Sequence, residues 1–107
     1  NHVRDFTYID DATNILLKLR NKNIKKNDIY NISSNNPIGL KQILKFFQKI
    51  SPKTQIVERE FQKSDVYKTH GSNRNVIKKT KYKKFENVNK ALKKTHDWYF
   101  KNKKYYK

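Results

Sequence analysis

Three histidines and a cluster of carboxylates are the residues in this chain with the means to do chemistry. His2, His70 and His96 are separated too widely, and in the wrong pattern, for a His-x-x-x-His pair. A zinc site needs three or four such donors at fixed spacing, so no metal is expected. His70 follows Asp65 on a polar stretch and reads as a solvated loop residue; His96 stands beside Asp97. Asp5, Asp10 and Asp11 crowd near the N-terminus, where helix capping accounts for the second and third. The glycines are Gly39 and Gly71 alone, which excludes the glycine-rich turn that cradles a dinucleotide. The chain has no cysteine, which removes disulfides and thiolate ligands and fits a reducing cytoplasm.

The elements that must position these groups follow from apolar spacing. Arg4 and Asp5 lead a short alternating run, Phe6-Thr7-Tyr8-Ile9, which reads as a strand. A helix then begins at Asp10 and Asp11, with Ala12, Ile15, Leu16 and Leu19 in an i, i+3, i+4, i+7 stripe. Either aspartate can cap it, because a carboxylate accepts the orphan N–H groups and favours the positive end of the dipole. Residues 21–27 form a polar connection. Residues 28–33 read as a second strand entering a Ser33-Ser34-Asn35-Asn36-Pro37 turn. A helix over residues 38–50 shows Leu40, Ile43, Leu44 and Phe47 on one face and stops at Ser51-Pro52. Residues 54–61 are strand-like around Ile56 and Val57, and residues 62–71 read as an extended loop. Ser72 is placed to cap a short helix through Val76 and Ile77. Asn87 is placed to cap a last helix burying Val88, Ala91, Leu92 and either Trp98 or Tyr99, before a charged aromatic tail. The expected architecture is α/β, with two or three short strands and about four helices, and strands that need neighbours.

The chain has 107 residues and a formal charge of +17. Such a charge ordinarily suggests nucleic acid. Yet only Arg4, Arg20, Arg59 and Arg74 are arginines, and the rest of the 26 basic residues are lysines. Arginine gives the bidentate contacts that dominate base and phosphate recognition, whereas lysine is a hydrated point charge. Lys, Asn and Ile share AT-rich codons, so base composition accounts for much of the excess. A small basic nucleic-acid-binding protein stays the alternative. Its best support is Tyr82 and Phe85 among Lys78, Lys79, Lys81, Lys83 and Lys84. No window approaches the ~18 apolar residues of a membrane span, so no membrane partner is expected.

Arg4-Asp5-Phe6-Thr7-Tyr8-Ile9-Asp10-Asp11 resembles the R-D-F/Y-x-Y/H-[IV]-x-D motif of extended short-chain dehydrogenase/reductases that act on sugar nucleotides. In order along the chain, Ile29-Tyr30-Asn31-Ile32 with Asn35-Asn36-Pro37 is similar to that family's Y-N-[IL]-G-x-x-x-P stretch. Gln62-Lys63-Ser64-Asp65-Val66 resembles its Q-P-G-D-V loop. Residues 73–82 resemble the short helix ending in G-Y/F-x-P, and residues 91–99 the last helix with its W-Y pair. Ser33 stands where the family has glycine, Lys63-Ser64 replaces Pro-Gly, and Lys83-Lys84 replaces x-Pro. Gln62 and the Trp98-Tyr99 ending look most like UDP-glucuronate 4-epimerases, with UDP-glucose 4-epimerases next.

The resemblance implies that residues 1–107 are the substrate-binding C-terminal portion of a Rossmann-type, NAD-dependent epimerase/dehydratase, a fragment lacking its nucleotide-binding half. The absence of methionine suits that expectation. By the same resemblance Arg4 grips the diphosphate of a UDP-sugar, Asp65 bonds the ribose, and Gln62 faces the phosphates beside it. A guanidinium fork suits that task, since it pairs two phosphate oxygens at once. The competing reading of Arg4 is a surface cation paired with Asp5. The resemblance assigns NAD to the missing half, so no cofactor is expected on this fragment. It also implies a homodimeric, cytoplasmic parent. No catalytic residue is expected: Tyr99 and Lys103 have the family's Tyr-x-x-x-Lys spacing, but in a lysine-filled terminal helix this reads as coincidence.

Overall fold

A computed structural model of the chain describes residues 2–25 and 27–106. Among them it is a small mixed α/β domain with four α-helices and a two-stranded antiparallel sheet. β1 (Val3–Asp5) is followed by α1 (Ile9–Arg20), β2 (Pro37–Gly39), α2 (Leu40–Ile50), α3 (Arg74–Thr80) and α4 (Val88–Asn102), with a 3-10 turn at Lys103–Tyr105.

The strands differ from the expectation, and the ladder explains how. β1 pairs with β2 in the register Val3↔Gly39, Arg4↔Ile38, Asp5↔Pro37. Proline has no N–H to donate, so the ladder stops at Asp5 and the chain turns away through Phe6 and Thr7. The first strand is therefore Val3–Asp5 rather than the Phe6-Thr7-Tyr8-Ile9 run. Ile38 and Gly39, expected in a helix, pair in β2 instead, and α2 begins at Leu40. Residues 28–33 and 54–61 are not strands: both are outside any sheet, because strand-like composition without a neighbouring ladder forms no strand. Asn35 takes the left-handed conformation (φ 56°) in the turn before β2, a role asparagine tolerates well.

The core is small. Ile15, Leu19 and Val76 are buried together, with Tyr30, Ile32, Ile77, Tyr82 and Phe85 packed around them. α1 thus uses two members of its stripe; Leu16, expected inside, is 57% exposed. Ile43 is the buried residue of α2. α4 buries nothing completely, and Trp98 and Tyr99, one of which was expected inside, are 54% and 42% exposed.

Capping shows one agreement and two corrections. Asn87 caps α4 with its side-chain oxygen, accepting from the N–H groups of Asn89 (3.0 Å) and Lys90 (3.4 Å). Tyr8 occupies the cap position of α1 without a side-chain bond, leaving Asp10 and Asp11 inside the first turn. Asp11 is buried there for another purpose: it accepts from the Tyr82 hydroxyl at 2.6 Å and the Glu86 N–H at 3.0 Å. Asn73, not Ser72, occupies the cap position of α3, and its amide donates to the Ser33 carbonyl at 2.9 Å.

Candidate functional site

β1 is the frame of the site. Alternation along a strand sends Arg4 and Asp5 to opposite faces. On its edge away from β2, Val3 donates to the Tyr67 carbonyl at 2.9 Å and accepts from Thr69 N–H at 3.1 Å, an isolated parallel bridge centred on Val3 and Lys68. That pairing lays residues 62–71 beside the start of the chain. Arg4 Nη2 then lies 3.7 Å from Asp65 Oδ1. Arg4 Nη1 also donates to the Val3 carbonyl at 3.0 Å, which restrains the guanidinium.

Arg4 therefore pairs with Asp65, not with Asp5. Both partners are reachable from solvent, with side chains 26% and 54% exposed. A pair so exposed contributes about 0–1 kcal/mol, so either group can exchange its partner for a ligand at little cost. Gln62 is exposed on the same turn, where its carbonyl accepts from the Asp65 N–H at 2.9 Å. The structure thus brings Arg4 and Asp65 together and sets Gln62 on the turn that presents Asp65.

Two aromatic rings close the base of that turn. Phe61 and Tyr67 stack with centroids 4.8 Å apart and planes 9° from parallel, and His2 lies 5.5 Å from each. His2 also borders a groove of about 580 Å³ floored by Leu40, Leu44 and Ile56. Sequence reasoning passed over these rings, although Phe61 directly precedes Gln62 and Tyr67 follows Asp65 by two positions.

Asp5 holds the other face. Its Oδ1 accepts from the Ser34 hydroxyl (2.5 Å) and the Asn36 N–H (3.3 Å), and its Oδ2 from the Gly71 N–H (3.1 Å). Burial opposes its charge, but these donors outweigh burial and hold the carboxyl below its ordinary value. Asp5 is a latch joining β1, the turn before β2 and the end of the 62–71 loop. Nothing in the spacing of the sequence distinguished it from a solvated carboxylate.

The remaining candidates are engaged elsewhere. His70 Nε2 contacts Asn35 Oδ1 at 2.6 Å, and His96 packs on Phe100. Lys103 Nζ sits over the Phe100 ring. Among the described residues no group of three His, Asp or Glu could hold a metal ion. Tyr82 and Phe85, the rings of the nucleic-acid alternative, pack edge to face on the core. Burial and the bond to Asp11 push the Tyr82 hydroxyl up to about 12. No family profile, no curated protein and no solved structure matches this chain.

The arrangement sets the guanidinium fork of Arg4, on β1, beside the turn that carries the Asp65 carboxylate and the Gln62 side-chain amide.

Proposed function

We propose that the chain binds a UDP-sugar as the C-terminal portion of an NAD-dependent sugar-nucleotide 4-epimerase of UDP-glucuronate or UDP-glucose type, and is inactive by itself. The observation that carries this reading is the Arg4–Asp65 pair, drawn from opposite parts of the chain to 3.7 Å. In it Arg4 takes the diphosphate, Asp65 accepts from the ribose hydroxyls, and Gln62 faces the phosphates. The opening motif and the 62–66 loop, similar to two nucleotide-contacting motifs of one family, converge on a single corner. A Rossmann half would supply NAD, the catalytic tyrosine and lysine, and the homodimer contact. The nucleic-acid alternative is less well supported, because the rings it would stack bases on are packed against Ile15, Leu19 and Val76.

Calorimetric titration with UDP tests the reading. Arg4→Ala should weaken UDP binding by roughly 1.5–3 kcal/mol, the worth of charge-assisted hydrogen bonds. Unchanged UDP affinity in the variant would leave Arg4 as a surface cation paired with Asp65.

A further inference from the structure

Arg4 and Asp5 are neighbours on β1 and do opposite work. Arg4 reaches the Asp65 corner, while the Asp5 carboxylate collects donors from two segments on the other side of the strand. The Ser34 hydroxyl (2.5 Å) and the Asn36 N–H (3.3 Å) come from the turn before β2, and the Gly71 N–H (3.1 Å) from the end of the 62–71 loop. The Asp5 N–H donates in turn to the Thr69 hydroxyl at 3.3 Å. The Ser34 N–H donates to the Thr7 hydroxyl at 3.1 Å, so the turn is gripped from β1 and from Thr7 beyond it.

The corner depends on these bonds because the segment carrying Asp65 has little else to fix it. Residues 62–70 are exposed and belong to no helix or named strand. Val3 holds the segment by two neutral bonds, to the Tyr67 carbonyl and from the Thr69 N–H. Hydrogen bonds to a carboxylate are roughly twice as strong as neutral ones, so the clasp at Gly71 is the stronger kind of tie. It also joins the loop to the paired strands and not to β1 alone, since Asn36 directly precedes β2. His70 Nε2 and Asn35 Oδ1, 2.6 Å apart, form a second contact between the same two segments.

We propose that Asp5 is a positioning residue for the ligand corner. Through Gly71 and Thr69 it fixes the turn bearing Gln62 and Asp65 against Arg4, and so sets the affinity for a nucleoside diphosphate that it does not touch. Its part in binding rests on the nucleotide reading of Arg4 and Asp65. Every bond it uses is internal to this domain.

The test is calorimetric titration with UDP, at a temperature where circular dichroism shows each protein folded. Asp5→Asn should weaken binding by at least about fivefold, the low end of an ordinary coupling between separate sites. Ser34→Ala removes one of the three donors and should weaken it less; it carries the same test if Asp5→Asn does not fold. Asn87→Ala, which removes the cap of α4, serves as the control for lost stability and should leave the affinity within about twofold. In a background carrying both Gln62→Ala and Asp65→Ala, Asp5→Asn should cost less than about twofold more, because no side chain is left to position. Without ligand, NMR backbone order parameters should fall across residues 62–66 in Asp5→Asn and stay high in α1 and α3. Unchanged UDP affinity in Asp5→Asn, an equal loss in Asn87→Ala, a full loss in the doubly substituted background, or unaltered order at residues 62–66 would each overturn the proposal. Failure of the unmodified protein to bind UDP would remove the nucleotide reading, and the order parameters would still decide whether Asp5 fixes the turn.

Discussion

The Ser33 hydroxyl donates to the Gly71 carbonyl at 2.8 Å, and Ser33 fills the space that a side chain on Gly71 would require. A Cβ at Gly71 would lie 2.6 Å from Ser33 Oγ and 2.7 Å from Ser33 Cβ. Gly71 is thus needed for close approach, not for a special backbone angle, and these two positions are sized against each other. Gly71→Ala should destabilise the fold by about 1–3 kcal/mol through overpacking. Ser33→Gly should cost about 1 kcal/mol for the lost hydrogen bond. The double variant should be more stable than the sum of the two losses, because the glycine at 33 makes room for the new methyl. Urea denaturation of all four proteins measures this, and strict additivity would refute the size-matching.

Tyr82→Phe should cost roughly 1.5–3 kcal/mol, because it leaves an oxygen of the buried Asp11 without its hydroxyl donor. The pH dependence has a definite sign. A phenol raised to about 12 gives stability that is whole below its ordinary value of 10.0 and is lost as pH climbs between the two. The unmodified protein should therefore lose stability over that alkaline window more steeply than the phenylalanine variant. Denaturation curves with parallel alkaline slopes would show that the Tyr82–Asp11 bond contributes nothing.

Asp5 should govern the acid side. Its carboxyl is held below 3.8, so its contribution is present above that value and disappears as pH falls through the lower folded value. Asp5→Asn keeps the shape but sets an amide N–H₂ against one of the present donors, Ser34, Asn36 or Gly71. A loss of about 1–3 kcal/mol at neutral pH is expected. The variant should also lose less of its remaining stability on acidification, which circular dichroism against pH would reveal.

Asn87→Ala should destabilise α4 by about 1 kcal/mol, the usual worth of a side-chain cap. The neighbouring Glu86–Lys94 contact, at 2.6 Å, should survive the change, since neither partner uses the Asn87 side chain. An unaltered thermal midpoint would mean that α4 is held by its packing alone.

Helices were the legible part of this sequence. Apolar stripes in α1 and α2, the stop at Ser51-Pro52 and the Asn87 cap are local signals, and local chemistry decides them. The strands were misread because pairing is decided between segments. Residues 28–33 and 54–61 have the composition of strands, but β1 pairs instead with Pro37–Gly39 and with the stretch around Lys68. Of the candidate site, Arg4, Gln62 and Asp65 were singled out through a resemblance; that Arg4 and Asp65 meet is a long-range contact that no local pattern in the sequence encodes. Asp5 was read as one of a group of carboxylates, pairing with Arg4 only on the competing reading, and Asp11 as a possible cap. Their true contacts come from residues 29 to 75 positions away, which no local pattern announces.

Every residue from 52 through 70 is exposed, and the segment is tied down chiefly by the backbone bonds to Val3, the Thr69 hydroxyl on the Asp5 N–H and the ring stack with His2. Opening such a segment costs far less than unfolding the core. Lys53, Arg59, Lys63 and Lys68 all lie within it, so trypsin should nick the protein there first, while Ile15, Leu19 and Val76 stay packed. An anion bridging the guanidinium of Arg4 and the 62–65 turn would staple that segment shut. Resistance to trypsin would then serve as a gauge of occupancy, and a ligand could be found by the cleavage it prevents.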